Sequence, residues 1–187
     1  MNVTLKPADI FLTQGTGFIS RAIRVFTRSV GESRTRVNHV GLLVTPGTLR
    51  ETVAVEALSK VVRRKLWEGY GPPSDTRVAI YRPMNLTEAE LDRIVNAAED
   101  YVGRGYGYLK IAAHLADWAL MGAYVFRRLA RMDDYPICSW LVAHCYAKVD
   151  KTFGVAPGAA SPDDIWDFVV SRPDIYQKVH PLEPLGG

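Results

Sequence analysis

Apolar and polar positions alternate in short runs through the first eighty residues, and then the period lengthens. Ala8-Asp9-Ile10-Phe11-Leu12-Thr13 reads as a strand. Arg36 to Val44 reads as another, with Val40, Leu42 and Val44 on one face and His39, Gly41 and Leu43 on the other. Thr45-Pro46-Gly47-Thr48 carries turn residues, and Val53 to Leu58 returns as a third strand. Pairing His39 opposite Glu56 centres the hairpin on that turn and brings their Cβ atoms to about 5 Å. Lys60 to Leu66 alternates apolar with basic positions, the pattern of an edge strand protected by charge. Gly69 to Ser74 reads as a Gly/Pro loop, and Thr76 to Tyr81 as a strand stopped near Pro83.

Helical spacing dominates the rest. Phe18 to Val30 has a helix-like pattern closed by Gly31. Thr87-Glu88-Ala89-Glu90 is a capping box with Leu86 placed as its staple. Leu91, Ile94, Val95, Ala98, Tyr101 and Val102 then line one face of a helix ended by Gly103. Leu109 to Phe126 is strongly apolar but carries Lys110, His114 and Asp117. A membrane span needs about 20 mainly apolar residues, so this run reads as a buried or partner-facing helix. The following Arg127, Arg128 and Arg131 leave contact with a membrane surface through 109–131 as the alternative. Tyr135-Pro136-Ile137-Cys138 opens another helix, with Ile137, Leu141, Val142 and Cys145 at helical spacing. Ser161-Pro162-Asp163-Asp164 starts a last short one, with a serine N-cap and acids in its first turn.

No repeat or linker divides the chain. The expectation is a single α+β domain over 1–187: a small, mostly antiparallel sheet packed on the Cys138 helix. Its core spans about 8–168, with a helical elaboration at 109–131 and a C-terminal tail at 171–187 that leaves His180 on the surface. The 187 residues, 48% apolar and 23% charged, suffice for a core without staples. A net charge of +3 gives no argument for nucleic acid, and the run Arg21, Arg24, Arg28, Arg34 and Arg36 reads as a solvated face. The stretch Met1 to Pro7 has no apolar h-region, which points to the cytoplasm, although a virion-borne or non-classically exported protein would look the same. Cys138 and Cys145 on one helix would lie about 10.5 Å apart along it, too far for a disulfide. No cofactor is expected, and no zinc, because Cys138, His144 and Cys145 lack a fourth spaced ligand.

Candidate chemistry centres on Cys138. A thiol on the first turn of a helix sees the positive end of the dipole, which favours thiolate. It needs a base, and the base an orienter; His39 and Glu56 fill those roles on two other elements. Singly, each has a plainer reading: a small buried hydrophobe, a satisfied core histidine, a strand residue facing water. Tyr106, Tyr135 and the Cys138 N–H are candidate oxyanion donors, with packed aromatics the plainer reading of the tyrosines. His144 is a poor alternative base, since it points about 120° away from Cys138 around the helix.

Taken together, Asp9-Ile10, Asn38-His39-Val40-Gly41-Leu42, Val55-Glu56-Ala57, Tyr101-Val102-Gly103-Arg104-Gly105-Tyr106, Cys138-Ser139-Trp140-Leu141-Val142 and Ser161-Pro162-Asp163-Asp164-Ile165 form an ordered set. That set resembles the permuted NlpC-like cysteine hydrolases, which have a circularly permuted papain-like fold and are similar to the lecithin–retinol acyltransferase group. The resemblance implies Cys138 as nucleophile, His39 as base and Glu56 as the third polar residue. It implies a thiol hydrolase of the amidase or peptidase type, cleaving an amide or ester bond of a small peptide or lipid. The family usually has an acid two residues after the cysteine; this chain has Trp140, which with Ser139 and Asn38 makes up the substrate-pocket candidates. A lipid-directed acyltransferase or lipase on the same fold, and a non-catalytic binding or structural module, are the alternatives. Nothing in the sequence indicates an oligomeric state.

Overall fold

The alternating segments assemble into one six-stranded antiparallel sheet in a computed structural model that describes residues 4–15, 36–105 and 138–186. The strands are β1 (Ile10–Gln14), β2 (His39–Leu43), β3 (Val53–Ala57), β4 (Val61–Lys65), β5 (Arg77–Pro83) and β6 (Tyr176–Pro184), in the order β4-β3-β2-β1-β5-β6. Four α-helices are described: α1 (Leu66–Tyr70), α2 (Glu88–Glu99), α3 (Cys138–Ala147) and α4 (Pro162–Ser171). The fold is therefore α+β, as expected. The helix expected at Phe18–Val30, the 109–131 elaboration with His114, and Tyr106, Tyr135, Pro136 and Ile137 lie outside the described residues.

Each face of the sheet carries its own core, because side chains alternate along a strand. Ile10, Leu12, Val40, Leu42, Val55, Ala57, Ala79 and Tyr81 join the core made with α2, α3 and α4. Phe11, Leu43, Ala54, Val78 and Ile80 join a smaller one closed by Leu5, Leu66, Tyr70 and Leu185. Helix α3 lies deepest: from Cys138 to Ala143, and again at Cys145 and Tyr146, its side chains are buried. A helix apolar all round belongs in the interior. Both predicted N-termini are complete capping boxes, Thr87 with Glu90 on α2 and Ser161 with Asp164 on α4.

Three expectations change. The β2–β3 ladder pairs Leu42 with Val55 and Leu43 with Ala54. Continued, it sets Glu56 opposite Gly41, two residues from the register that paired it with His39. A shift of two leaves every side chain on its face, whereas a shift of one would have reversed them. The first two residues of the loop expected at Gly69 to Ser74, and Leu66 at the end of the preceding expected strand, belong to helix α1. The C-terminal tail is β6, an edge strand that tolerates Pro181 and Pro184 because its outer side needs no donors. His180 is accordingly half-buried, its Nδ1–H donating to the Val78 carbonyl at 2.9 Å.

Asp9 anchors the start of β1. It is fully buried and takes Arg82 in a two-point pair, Nε to Oδ1 at 2.9 Å and Nη2 to Oδ2 at 2.7 Å, plus the Lys6 N–H at 2.9 Å. Burial nevertheless raises its pKa, against the lowering effect of Arg82.

Candidate active site

Cys138 opens α3 as described and is 7% exposed. It belongs to the core on the helical side of the sheet, whereas Glu56 meets Tyr70 of the opposite core and the His39 ring lies 6.2 Å from the Phe11 ring. The two sides communicate where the β2–β3 ladder stops. The Val40 and Ser139 N–H groups both act on the Cys138 sulfur in the direction that favours its thiolate. The His39 side chain hydrogen-bonds the same sulfur.

On its other side, His39 Nε2 donates to Glu56 Oε2 at 2.7 Å, which leaves Nδ1 as the ring nitrogen for the thiol. Gly41 makes this diagonal reach possible. A Cβ there would stand 2.4 Å from Phe11 Cε1 and Cζ and 3.0 Å from Glu56 Cβ. With no side chain between them, the Phe11 ring, the His39 ring and the Glu56 carboxylate share one stretch of sheet surface.

Glu56 is fully buried and holds two further donors. Arg64 Nε reaches Oε1 at 2.6 Å, and the Tyr70 hydroxyl donates a short bond to Oε2. Burial alone would raise the carboxyl pKa. The bonds from His39 and Tyr70 and the charges of His39 and Arg64 outweigh it and bring the pKa to about 2. For His39, burial disfavours the charged ring. The hydrogen bonds and charges of Cys138 and Glu56 overcome that and raise its pKa to about 10. Burial likewise opposes the Cys138 thiolate, yet the His39 bond and charge, then the Val40 and Ser139 N–H groups, leave its pKa below the ordinary thiol value. Cys145 is the internal contrast: burial dominates, and its thiol is pushed up to about 12. Such an arrangement stabilises a thiolate–imidazolium pair backed by a carboxylate, the ground state of a thiol nucleophile.

The structure thus brings together Cys138, His39 and Glu56. Tyr106 and Tyr135 lie outside the described residues. Ser139 is fully buried, and its Oγ finds no hydrogen-bond partner among them. Trp140 is 2% exposed, with its ring stacked on His144 (centroids 3.7 Å apart) and edge-on to Tyr101 (5.3 Å). It packs α3 against Tyr101, just past the end of α2. His144 Nδ1–H donates to the Trp140 carbonyl at 3.1 Å. Asn38, 6% exposed, accepts the Gly15 N–H at 2.8 Å and so fixes the end of β1.

Arg64 and Tyr70 were not singled out in the sequence. Arg64 carried a signal: pairing β3 with β4 through the short turn at 58–60 puts it on the face of Glu56, diagonal to it. Tyr70 carried none, because a loop reading of 69–74 gives no face.

These features define an α+β protein with a buried Cys–His–Glu constellation. No protein-family model matches the sequence, and no curated protein does. Among solved structures, the chain is similar to the metalloprotein yiiX of Escherichia coli O157:H7, assigned to DUF1105. The TM-score is 0.53 at 18% identity, over 96% of this chain and 86% of that one. At this identity the likeness bears on the fold alone. Among the described residues here, no group of three or more His, Cys, Asp and Glu side chains is placed to hold a metal ion.

Proposed function

We propose that this protein is a thiol hydrolase of the permuted NlpC-like, papain-like type, cleaving an amide or ester through an acyl-enzyme on Cys138. The observation that carries the reading is the Cys138–His39–Glu56 chain of hydrogen bonds, with a depressed thiol and a histidine held protonated. The order of the parts, histidine strand before cysteine helix, agrees with the permuted arrangement.

The chemistry follows from the geometry. The thiolate attacks the substrate carbonyl carbon, and the π pair moves onto oxygen. The Cys138 N–H at the helix start is the candidate donor to that oxyanion. Collapse re-forms the carbonyl and breaks the C–N or C–O bond, and the leaving group takes its proton from the His39 imidazolium. Neutral His39 then deprotonates a water, which attacks the thioester. The C–S bond breaks, the acid leaves, and thiolate and imidazolium are restored. Glu56 keeps the imidazole in one orientation and stabilises its charge throughout. The substrate we propose is a small peptide amide or a lipid ester.

The test is acylation by p-nitrophenyl acetate with mass-spectrometric mapping. The expected result is a burst of nitrophenol and a transient acetyl group on Cys138, both lost in Cys138→Ala. A folded wild-type protein that shows neither burst nor adduct overturns the proposal.

A further inference from the structure

Glu56 is a carboxylate without access to water, and its charge must be sustained by the protein around it. Among the described residues, the groups that face it are His39 from β2, Arg64 from β4 and Tyr70 from α1, with Cys138 behind His39. His39 lowers the carboxyl pKa most, but its own protonation is coupled to Glu56; among the described residues, Arg64 is the positive charge on the carboxylate that does not depend on that coupling.

Arg64 is built in rather than laid on. Its Nε is 2.6 Å from Oε1, and its guanidinium lies 5.3 Å from the centre of the Tyr70 ring. It also occupies the space that a side chain at Gly69 would take. A Cβ at Gly69 would stand 2.7 Å from Cζ and from Nη2 of Arg64. Gly69 and Tyr70 are neighbours on α1, so this one short helix shapes a seat for the guanidinium and supplies the second donor to the carboxylate. With Arg64 on Oε1 and Tyr70 on Oε2, the carboxylate is fixed in its plane, and the remaining acceptor direction of Oε2 is the one His39 uses.

We infer that Arg64 and Tyr70 are positioning residues that keep Glu56 ionised and aimed at His39, and so set how acidic the Cys138 thiol is. The inference rests on the reading of Cys138 as the nucleophile and deepens it. Without the Arg64 charge, the buried carboxylate binds a proton more readily. The imidazolium then loses one of its two counter-charges, and its pairing with the thiolate is weakened. The thiol therefore ionises at higher pH.

The experiment measures the rate of Cys138 alkylation by iodoacetamide against pH, with the site mapped by mass spectrometry. Wild type, Arg64→Gln, Arg64→Lys and Tyr70→Phe are compared. Thermal melts establish that each variant is folded. In Arg64→Gln the acid limb of the profile moves up by about one pH unit, a roughly tenfold slower reaction at a fixed acidic pH. Arg64→Lys, which keeps the charge, recovers most of the shift, and Tyr70→Phe gives a smaller one in the same direction. A folded Arg64→Gln protein with the wild-type profile overturns the inference. Should Arg64→Gln not fold, Gly69→Ala, which crowds the guanidinium, and Tyr70→Phe decide. A shift in either supports the inference, and the wild-type profile in both overturns it. A wild-type Cys138 that ionises like an ordinary thiol fails the proposed function itself, a result distinct from the variants matching a depressed wild-type profile.

Discussion

Glu56→Gln keeps the size and the acceptor oxygen of the buried side chain but removes its charge. The imidazolium of His39 then keeps only the Cys138 thiolate as counter-charge, and its pKa falls below the value of about 10 that it has beside both groups. An NMR titration of the His39 ring should show protonation lost at lower pH than in wild type. Turnover falls with it, because a neutral imidazole pairs with a thiol rather than a thiolate. Gly41→Ala tests the same surface by sterics. Its Cβ would meet the Phe11 ring at 2.4 Å, and that ring is fully buried. Overpacking of this kind costs about 2 kcal/mol or more, read as a lower urea midpoint, and it should slow Cys138 acylation by displacing Glu56 as well. At this scale the sequence was informative about chemistry. The three reacting residue types were visible, and strand alternation placed His39 and Glu56 on one face. The donors to Glu56 were not, since Arg64 reaches the face of Glu56 only once β3 and β4 are paired, and Tyr70 falls where the sequence reads as a loop.

Elements whose ends are fixed by their own residues were legible in advance. The boxes of Thr87 with Glu90 and Ser161 with Asp164 satisfy orphan N–H groups locally, so their signal needs no distant partner. Thr87→Ala and Ser161→Ala should each lower stability by about 1 kcal/mol in denaturant unfolding. They should leave the pH profile of Cys138 unchanged, because neither cap meets the Cys–His–Glu chain. Helix α1 and strand β6 were missed for the opposite reason. The first is five residues long, and the second contains two prolines; each exists because of what it packs or pairs with. The hairpin register moved by two because the turn alone leaves loop length open, and the pairing was decided by which residues could be buried together.

For the molecule as a whole, the two perturbed groups bracket a pH window. Glu56, lowered from 4.5 to about 2, contributes stability above pH 4.5 that is lost as pH falls toward 2. His39, raised from 6.5 to about 10, contributes below pH 6.5 and loses that contribution as pH rises through 10. Asp9 has the opposite sign from Glu56, since burial raises its pKa and acid favours the fold at that site. Denaturant unfolding against pH should therefore show wild type losing more stability than Glu56→Gln between pH 4.5 and 2, by on the order of 3 kcal/mol. Cys145, fully buried with its thiol pushed up to about 12, should resist iodoacetamide until global unfolding, so its labelling tracks the denaturant midpoint while Cys138 reacts in the native state.

Local order determined strands β1 to β5, the two capped helices, the α+β class and the trio of residue types able to form a thiol nucleophile. These depend on neighbours within a few positions, where period and capping act. Tertiary structure alone decided that the β2–β3 ladder stops short, that the His39 ring meets a sulfur on a helix nearly a hundred residues away, and that Arg64 and Tyr70 enclose a fully buried carboxylate. Burial sets the strength of every charge in that chain, and burial is a property of the whole fold rather than of any stretch of sequence.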